Sequence, residues 1–548
     1  MLQKNQIYTT TIKDLNNLGF GVAKIDGISV FVADTVTGDV VEIKIIKTAK
    51  TYAVGTLTKL ITPSPMRCDE TEVCPVSRRC GGCVYQRITY EHELALKRQY
   101  VQFAMKKAGA GHVTVNDVLT TGKTAHYRNK AQYPVGTETV NGKMRTIIGF
   151  YAPKTHKIIP AETCALQPPV FSDIVRFTAD FCDRYRIPAY REETGEGLLR
   201  HLYLRMGEMT GEILVCLVIN GTAFPHADDF CREMTERFPD VKSIQTNENT
   251  QNTNVILGST CRVLWGEDSI RDVLCGRTYR ISPQSFYQVN RTAAELLYNT
   301  ARNLLALAPS ETLLDLYCGI GTIGISVAEH DTPLIGIEII PEAIENAREN
   351  ARENGMTNAQ FFCGDASDAA KILADISLHA DAVIVDPPRK GLTPEVIRYL
   401  GELNPSRIVY ISCDADTLAR DIVRFAEVGY HTDTVQPVDL FSRTGHVETV
   451  VLLSREKVDD HIRFSINTED LKKNVGGYAT YGDIKAYVLE KFGLKVSSLY
   501  IAQTKDKCGI KERENYYIGE GKSKELICPP EKEKAIMDAF RHFGMLRD

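Results

Sequence analysis

The chain has 548 residues, 43% of them hydrophobic and 25% charged, with a formal net charge of -5 and 15 cysteines. That length predicts about three or four domains, and the lack of any apolar run of about eighteen residues or of a signal-peptide core excludes a membrane-spanning or exported protein, so a cytoplasmic monomer is expected. Cysteines in that compartment argue for metal or catalytic use rather than disulfides, and the weakly acidic total means that a nucleic-acid partner must be held by local basic patches.

Residues 1–60 alternate apolar and polar in short runs, such as Gly21–Ile25 and Ile28–Val32, with turns at Asn17, Gly19, Asp26-Gly27 and Gly38-Asp39. Short strands with glycine turns predict a five-stranded OB-like β-barrel, and residues 61–65 (ITPSP) read as the linker after it. Next, Cys74, Cys80 and Cys83 follow one another in a Cys-x5-Cys-x2-Cys loop with two glycines, Gly81 and Gly82, that let the backbone turn tightly. Cys164, in another proline-flanked turn, is the best fourth ligand and Cys68 the second choice. Such a set suits an iron-sulfur cluster or structural zinc, and the spacing argues against a radical-generating cluster. Arg67, Arg78, Arg79 and Arg87 around it predict a basic, phosphate-holding surface.

Residues 90–108 have a helical pattern ended by Gly109. From Tyr127 the text reads as an α+β region through Val273, where Arg128 and Lys130, flanked by Tyr127 and Tyr133, are candidates for contacting RNA by charge and stacking.

At Leu313 the pattern changes. LLDLYCGIGTIG is a buried strand, a glycine turn and a helix start, and the next strand ends in Glu338, about twenty residues on, where an acid can accept both ribose hydroxyls. Further apolar strands end in Gly364-Asp365 and in Asp386-Pro-Pro-Arg-Lys-Gly391, so the region reads as a doubly wound α/β sheet with its candidates at the carboxyl ends of the strands. One more strand, from Ile408, ends in Cys413 before an Asp-rich helix start. The positive end of that helix is expected to lower the thiol pKa and favour the thiolate.

Taken together, DLYCGIG, Glu338, DPPRKGL and the ISC turn resemble the class I methyltransferase fold in its RNA uridine-5-methyltransferase form, and SPQSFYQVN (Ser282 to Asn290) and TGHVET (Thr444 to Thr449) match two further segments of that family. The N-terminal barrel resembles a TRAM domain, and barrel plus cysteine loop resemble the iron-sulfur enzymes acting on 23S ribosomal RNA, whose transfer-RNA relatives usually lack both. The resemblance implies that Gln288, Tyr317, Glu338 and Asp386 hold S-adenosylmethionine. It likewise implies that Cys413 is the nucleophile, Glu448 the base and Phe286 a neighbour of the target base; Arg128 remains a candidate RNA contact by its charge, and His446, two residues from Glu448, reads as a supporting group. On the same footing Cys74, Cys80, Cys83 and Cys164 would carry a 4Fe-4S cluster in preference to zinc.

Two departures bear on substrate choice: Asp414-Ala415 stands where Asn-Pro is common, and Phe441-Ser-Arg443 where Phe-Pro-His is common, which makes Arg443 a further candidate RNA contact. The expected domains are a barrel (1–60), an iron-sulfur domain (66–89 and 118–273), a methyltransferase domain (90–117 and 274–454) and a C-terminal extension (455–548). The extension is expected to be a small α+β unit with Ile484, Tyr487, Val488 and Phe492 on one helix face and Lys505, Lys507, Lys511 and Arg513 around Cys508 as a candidate RNA loop. The expected reaction is methylation of uridine carbon 5 in 23S RNA; the alternatives are a transfer-RNA substrate and a noncatalytic RNA-binding protein, which the pair Cys413 and Glu448 disfavours.

Overall fold

The computed structural model describes residues 2–455, apart from 70, 72, 162, 370–371 and 374–378, together with 481–508, 528–543 and 546. The chain divides into two compact units, Met1–Lys457 and Val458–Asp548.

The first unit opens with β1 (Ile7–Thr11), β2 (Asp14–Leu15), β3 (Gly21–Ile25), β4 (Ile28–Val32), β5 (Val40–Thr48) and β6 (Tyr52–Thr62), in the order β1-β5-β6-β4-β3-β2. Alternation along these strands turns Val30, Val32, Val41, Ile43 and Ile45 into one small core. Six strands stand where five were expected. The extra one, β2, exists because the Asn16 side chain accepts hydrogen bonds from the Leu18 and Phe20 amides at 3.1 and 2.9 Å and folds Asp14–Leu15 back onto β3.

After the helix Tyr90–Ala108, closed by Gly109 at φ 91°, comes β7 (Thr114–Val115). A seven-stranded sheet follows, made of β8 (Lys130–Val140), β9 (Lys143–Tyr151), β10 (Ile158–Pro160), β11 (Leu199–Met206), β12 (Ile213–Ile219), β13 (Val241–Glu248) and β14 (Thr260–Gly266). The helices Pro169–Tyr185 and Ala227–Arg237 bury Phe171, Phe181, Phe230 and Met234 against it. A hairpin, β15 (Ile270–Leu274) and β16 (Arg277–Ile281), leads to the helix Arg291–Leu305.

The remaining strands are β17 (Leu313–Leu316), β18 (Leu334–Glu338), β19 (Ala359–Cys363), β20 (Ala382–Val385), β21 (Arg407–Ser412), β22 (Tyr430–His431), β23 (Thr434–Val438) and β24 (Glu448–Arg455). They form a sheet ordered β19-β18-β17-β20-β21-β24-β23-β7, with β22 pairing β24. From β19 to β21 the pairing is parallel, whereas β24 runs antiparallel to both β21 and β23. Both faces are covered: Leu313, Ile384, Val409 and Ile411 face the Arg291–Leu305 side, while Leu314, Val383, Ile408 and Tyr410 face the helices Pro394–Leu403, Ala415–Glu427 and Tyr90–Ala108. That is why these strands read as continuous apolar runs. Reversal of β24 brings its first residue, Glu448, to the edge where the parallel strands end.

In the second unit the helices Tyr481–Phe492, Ser498–Lys507 and Pro530–His542 share a core of Ile484, Val488, Ile501, Ile536 and Phe540. The described residues of this unit include no strand, so only the helical part of the expected α+β unit is seen. Phe492, expected on the buried face, is 41% exposed. Lys505 and Lys507 lie on a helix rather than a loop, Lys507 pairs with Glu533 at 2.8 Å, and Lys511 and Arg513 lie outside the described residues. Among the described residues no helix is long and apolar enough to cross a membrane.

Candidate active site

The site is built from strand ends. Past β17 the backbone turns left-handed at Tyr317 (φ 64°), Gly319 (φ 55°) and Gly321 (φ 81°) before entering the helix Thr322–Val327. A tyrosine held there costs about 1 kcal/mol or more, a strain that clusters at functional sites. Within β17, wholly buried Asp315 accepts the Gly324 amide at 2.8 Å, while its other oxygen has no partner. Burial pushes this carboxyl up to about 8, against the pull of the Gly324 amide. At the end of β18 the Glu338 carboxylate accepts from the Gly319 amide at 3.2 Å and the Ile340 amide at 3.1 Å, which aims it at the glycine turn. Gln288 is buried just before the helix Arg291–Leu305, and its carbonyl accepts from the Asn129 side chain at 3.0 Å. On that helix Tyr298 is 1% exposed, and its hydroxyl has no partner.

The candidate reacting groups occupy the neighbouring strand ends. In the antiparallel register Ser412 of β21 faces Thr449 of β24, so the next residues, Cys413 and Glu448, are opposite one another. Asp386 follows β20, on the other side of β21. Burial pushes Asp386 up to about 7. Burial and then the Asp386 charge push Glu448 up to about 8, with Arg389 opposing. Cys413 is half-buried, and its thiol is pushed up to about 11 by burial first, then by Glu448 and Asp386, again with Arg389 opposing. This corrects the expectation of a thiol lowered by the following helix. Asp414 caps that helix, accepting from the Thr417 amide at 2.9 Å, so a carboxylate already occupies its positive end.

Arg389 is thus the cation nearest in effect to both reacting groups, and it is exposed. Sequence reading gave it no role although it lies in the DPPRKGL segment, because a strand-end loop does not reveal which of its side chains turns toward the next strand. Tyr298 was missed for another reason: in sequence it is one apolar position of an amphipathic helix.

Other predicted contacts fare differently. Phe286 is 61% exposed. Arg128 is half-buried and lines the cysteine cavity. Tyr127 and Tyr133 are 1% exposed and unavailable for stacking; Tyr127 donates its hydroxyl to the Ser442 carbonyl at 2.7 Å. Arg443 turns inward: its amide donates to Glu93 at 2.7 Å and its guanidinium to the Ile88 carbonyl at 3.0 Å. His446 reaches the surface as a residue, and partial desolvation of its ring, followed by the cations Arg389, Lys97 and Arg128, lowers its pKa. The loop between β23 and β24 is anchored underneath by buried Lys97, which donates to Glu93 (2.7 Å), Asp439 (2.6 Å) and the Phe441 carbonyl (3.1 Å).

Cys74, Cys80, Cys83 and Cys164 line one cavity of about 260 Å³ together with Arg128 and Gln167. Burial raises the thiols of Cys80 and Cys164 and pushes Cys83 up to about 12, and the other cysteines add to each shift. Donors face the sulfurs: the Gly82 amide at Cys80, the Leu166 and Gln167 amides at Cys164, and the Gln86 side chain at Cys83. Among the described residues no three such side chains close around a single ion. Cys68 instead donates its thiol to the Gln86 carbonyl at 3.0 Å. Of the expected basic surface, Arg67 is bonded to Asp39 at 2.7 Å and Arg87 to Asp34 at 3.1 Å, which ties this segment to the barrel, while Arg78 and Arg79 are exposed.

Residues 230–456 match the family model described as tRNA (uracil-5-)-methyltransferase, and residues 8–66 match the TRAM domain of tRNA (uracil(54)-C(5))-methyltransferase. An uncharacterized RNA methyltransferase of Clostridium tetani is 39% identical over 453 residues, 83% of this chain and 97% of the relative. A relative of the same description from Oceanobacillus iheyensis is 40% identical over 455 residues, again 83% and 97%. The crystal structure of Pyrococcus abyssi tRNA (uracil-54, C5)-methyltransferase in complex with S-adenosyl-L-homocysteine superposes with a TM-score of 0.65 and 27% identity, covering 81% of this chain and all of that one. A TRAM domain is thus also named for a transfer-RNA enzyme, and its presence does not count against a transfer-RNA substrate.

Proposed function

Since the chain belongs to the RNA uridine-5-methyltransferase family, we propose that it methylates carbon 5 of uridine in RNA with S-adenosylmethionine, through a covalent adduct of Cys413 at carbon 6. The observation that carries this reading is the β21–β24 register, which sets a thiol and a carboxyl side by side at the edge where the methyl-donor strands end.

Two buried polar atoms without partners, an Asp315 oxygen and the Tyr298 hydroxyl, flank those strand ends and fit a polar ligand. Gln288, Tyr317, Glu338 and Asp386 are the residues proposed to hold it, Glu338 taking the ribose hydroxyls. When bound, S-adenosylmethionine supplies an electrophilic methyl group on a sulfonium. Uracil carbon 5 is too weak a nucleophile alone. Addition of the Cys413 thiolate to carbon 6 pushes the electron pair of the ring double bond into an enolate, which makes carbon 5 nucleophilic. After the methyl group has moved, Glu448 takes the remaining carbon 5 proton; that electron pair restores the double bond and expels the thiolate. Arg389 stabilises the thiolate, the carboxylate and the enolate by charge. The target base has to leave its stack to reach Cys413, and exposed Phe286 is available beside it, with Arg128 on the RNA backbone.

For the cysteine cavity the proposed group is a 4Fe-4S cluster bound by Cys74, Cys80, Cys83 and Cys164. Zinc needs four sulfurs at about 2.3 Å from one point. The four cysteines line one cavity with amides directed at sulfurs, which suits thiolates in either kind of site, and the resemblance to the iron-sulfur enzymes favours the cluster. The cysteine cavity, through its resemblance to the loop of the 23S enzymes, favours 23S RNA as the substrate. A transfer-RNA substrate is the second reading, favoured by the names of the barrel model and of the Pyrococcus abyssi structure.

The test is incubation of the purified protein with methyl-labelled donor and either 23S RNA or transfer RNA from cells lacking the enzyme. Label at uridine carbon 5 of 23S RNA is expected; label confined to transfer RNA selects the second reading, and none in either refutes the activity.

A further inference from the structure

The barrel is fastened to the loop that carries the base. Gly445, three residues before Glu448, packs so closely on the barrel that a Cβ there would fall 1.9 Å from the Asn17 carbonyl oxygen. Asn17 belongs to the turn that the Asn16 side chain holds closed through the Leu18 and Phe20 amides. Gly19 of the same turn, at φ 78°, lies against Val84, where a Cβ would fall 2.5 Å from the carbonyl oxygen. Tyr85, 3% exposed, joins the parts: its hydroxyl donates to the Asn16 carbonyl at 3.2 Å and its amide to the Arg443 carbonyl at 3.1 Å. Since Tyr85 is two residues past Cys83, the barrel turn, the cysteine loop and the catalytic loop meet at one side chain.

We propose that the barrel turn at residues 16–20 is a positioning element of the catalytic site: with Tyr85 it forms the wall against which the 443–448 loop is set, and so fixes the reach of Glu448 to carbon 5. None of these residues touches the reacting atoms. The inference rests on Glu448 being the base. It gives the barrel a part in the chemical step in addition to any grip on RNA, and it places that part late. Cys413 directly follows β21, outside the wall, so adduct formation and methyl transfer proceed when the wall is loosened. Proton removal and thiolate release slow, because a displacement near 1 Å is worth about a hundredfold in rate.

The test uses the full chain with labelled S-adenosylmethionine and RNA from cells lacking the enzyme, comparing Gly445→Ala, Asn16→Ala, Tyr85→Phe, Asn16→Asp and Glu448→Gln. Gly445→Ala and Asn16→Ala are expected to accumulate a methylated protein–RNA adduct stable on a denaturing gel and to turn over about 10- to 100-fold more slowly, with KM for RNA within about twofold. Asn16→Asp, which keeps the acceptor oxygen, restores release. Thermal unfolding identifies a variant that fails to fold, and Asn16→Ala and Tyr85→Phe then carry the test without the added Cβ. Wild-type turnover without adduct in folded variants overturns the proposal, as does a raised KM for RNA at unchanged kcat. Adduct in Glu448→Gln and in none of the wall variants overturns the positioning role alone, whereas no adduct in Glu448→Gln removes the base on which it stands.

Discussion

Two places in this molecule gather several titratable side chains, and they are built in opposite ways. At the strand ends, Cys413, Glu448 and Asp386 are placed by backbone hydrogen bonding: each follows or begins a strand whose register is fixed, so their spacing survives without any ligand. In the cavity, Cys74, Cys80, Cys83 and Cys164 are carried by loops, and no three of them close around an ion among the described residues. Burial and mutual repulsion raise the pKa values in both. On the proposed function the first arrangement uses that destabilisation, because carboxyls poised near neutrality, as Asp386 and Glu448 are, exchange protons, whereas in the second a bound cluster would relieve it.

That contrast can be broken by substitution. The largest effect expected is for Cys413→Ala, which removes the proposed nucleophile and should lower methyl transfer by about 10⁴-fold or more with unchanged thermal unfolding, measured with labelled donor. Glu448→Gln should reduce turnover by about 10² to 10⁴-fold while leaving adduct formation intact, read as protein–RNA adduct on a denaturing gel. Cys83→Ala should act the other way round: iron content and visible absorbance of the anaerobically purified protein are lost, the melting temperature drops by ~5 °C or more, and activity declines by about tenfold through the loop that Tyr85 supports. A Cys83→Ala protein that keeps its iron would detach the cavity from the proposed cluster.

Smaller effects concern pH. On the proposed mechanism Glu448 must be charged to take a proton and Cys413 must be a thiolate to add, so turnover should rise with pH through about 8 and keep rising towards about 11. Arg389→Ala should move that limb to higher pH by roughly half a unit to one unit, because an exposed cation that favours both anions is gone. The smallest expected effect is on stability. A carboxyl with a raised folded pKa binds its proton more tightly when folded, so its contribution to stability falls as pH climbs from the ordinary carboxyl range to about 8. Glu448→Gln should therefore melt at a higher temperature than the parent above pH 7 and at the same temperature near pH 4.5.

Strand-end groups were legible in the sequence because each is announced locally: an apolar run buried on both faces, then a glycine turn or an acid, as at Tyr317, Glu338 and Asp386. What escaped depends on partners far along the chain. Arg443 reads as a surface cation until Glu93 is brought to it, and Tyr127 as a stacking platform until Ser442 covers it. The pKa of Cys413 rises because burial, then Glu448 from the paired strand β24 and Asp386 from the end of β20, outweigh the following helix, and none of these is visible beside Cys413 in the sequence. Nothing within residues 16–20 announces a contact with Gly445, since a hairpin turn is stable on its own terms.

The position of β24 has a consequence for biosynthesis. It lies between β21 and β23 although it is the last of these strands to be made, so β23 and the N-terminal strand β7 have nothing to pair with on the β21 side until residue 448 and those after it have left the ribosome. A growing chain therefore carries the Cys413 thiol on an unfinished sheet edge, without the carboxylate that the proposed mechanism needs to release the adduct. Docking of β24 completes the sheet and supplies that carboxylate in one event, so the thiol and the carboxyl are brought together only once the sheet is whole.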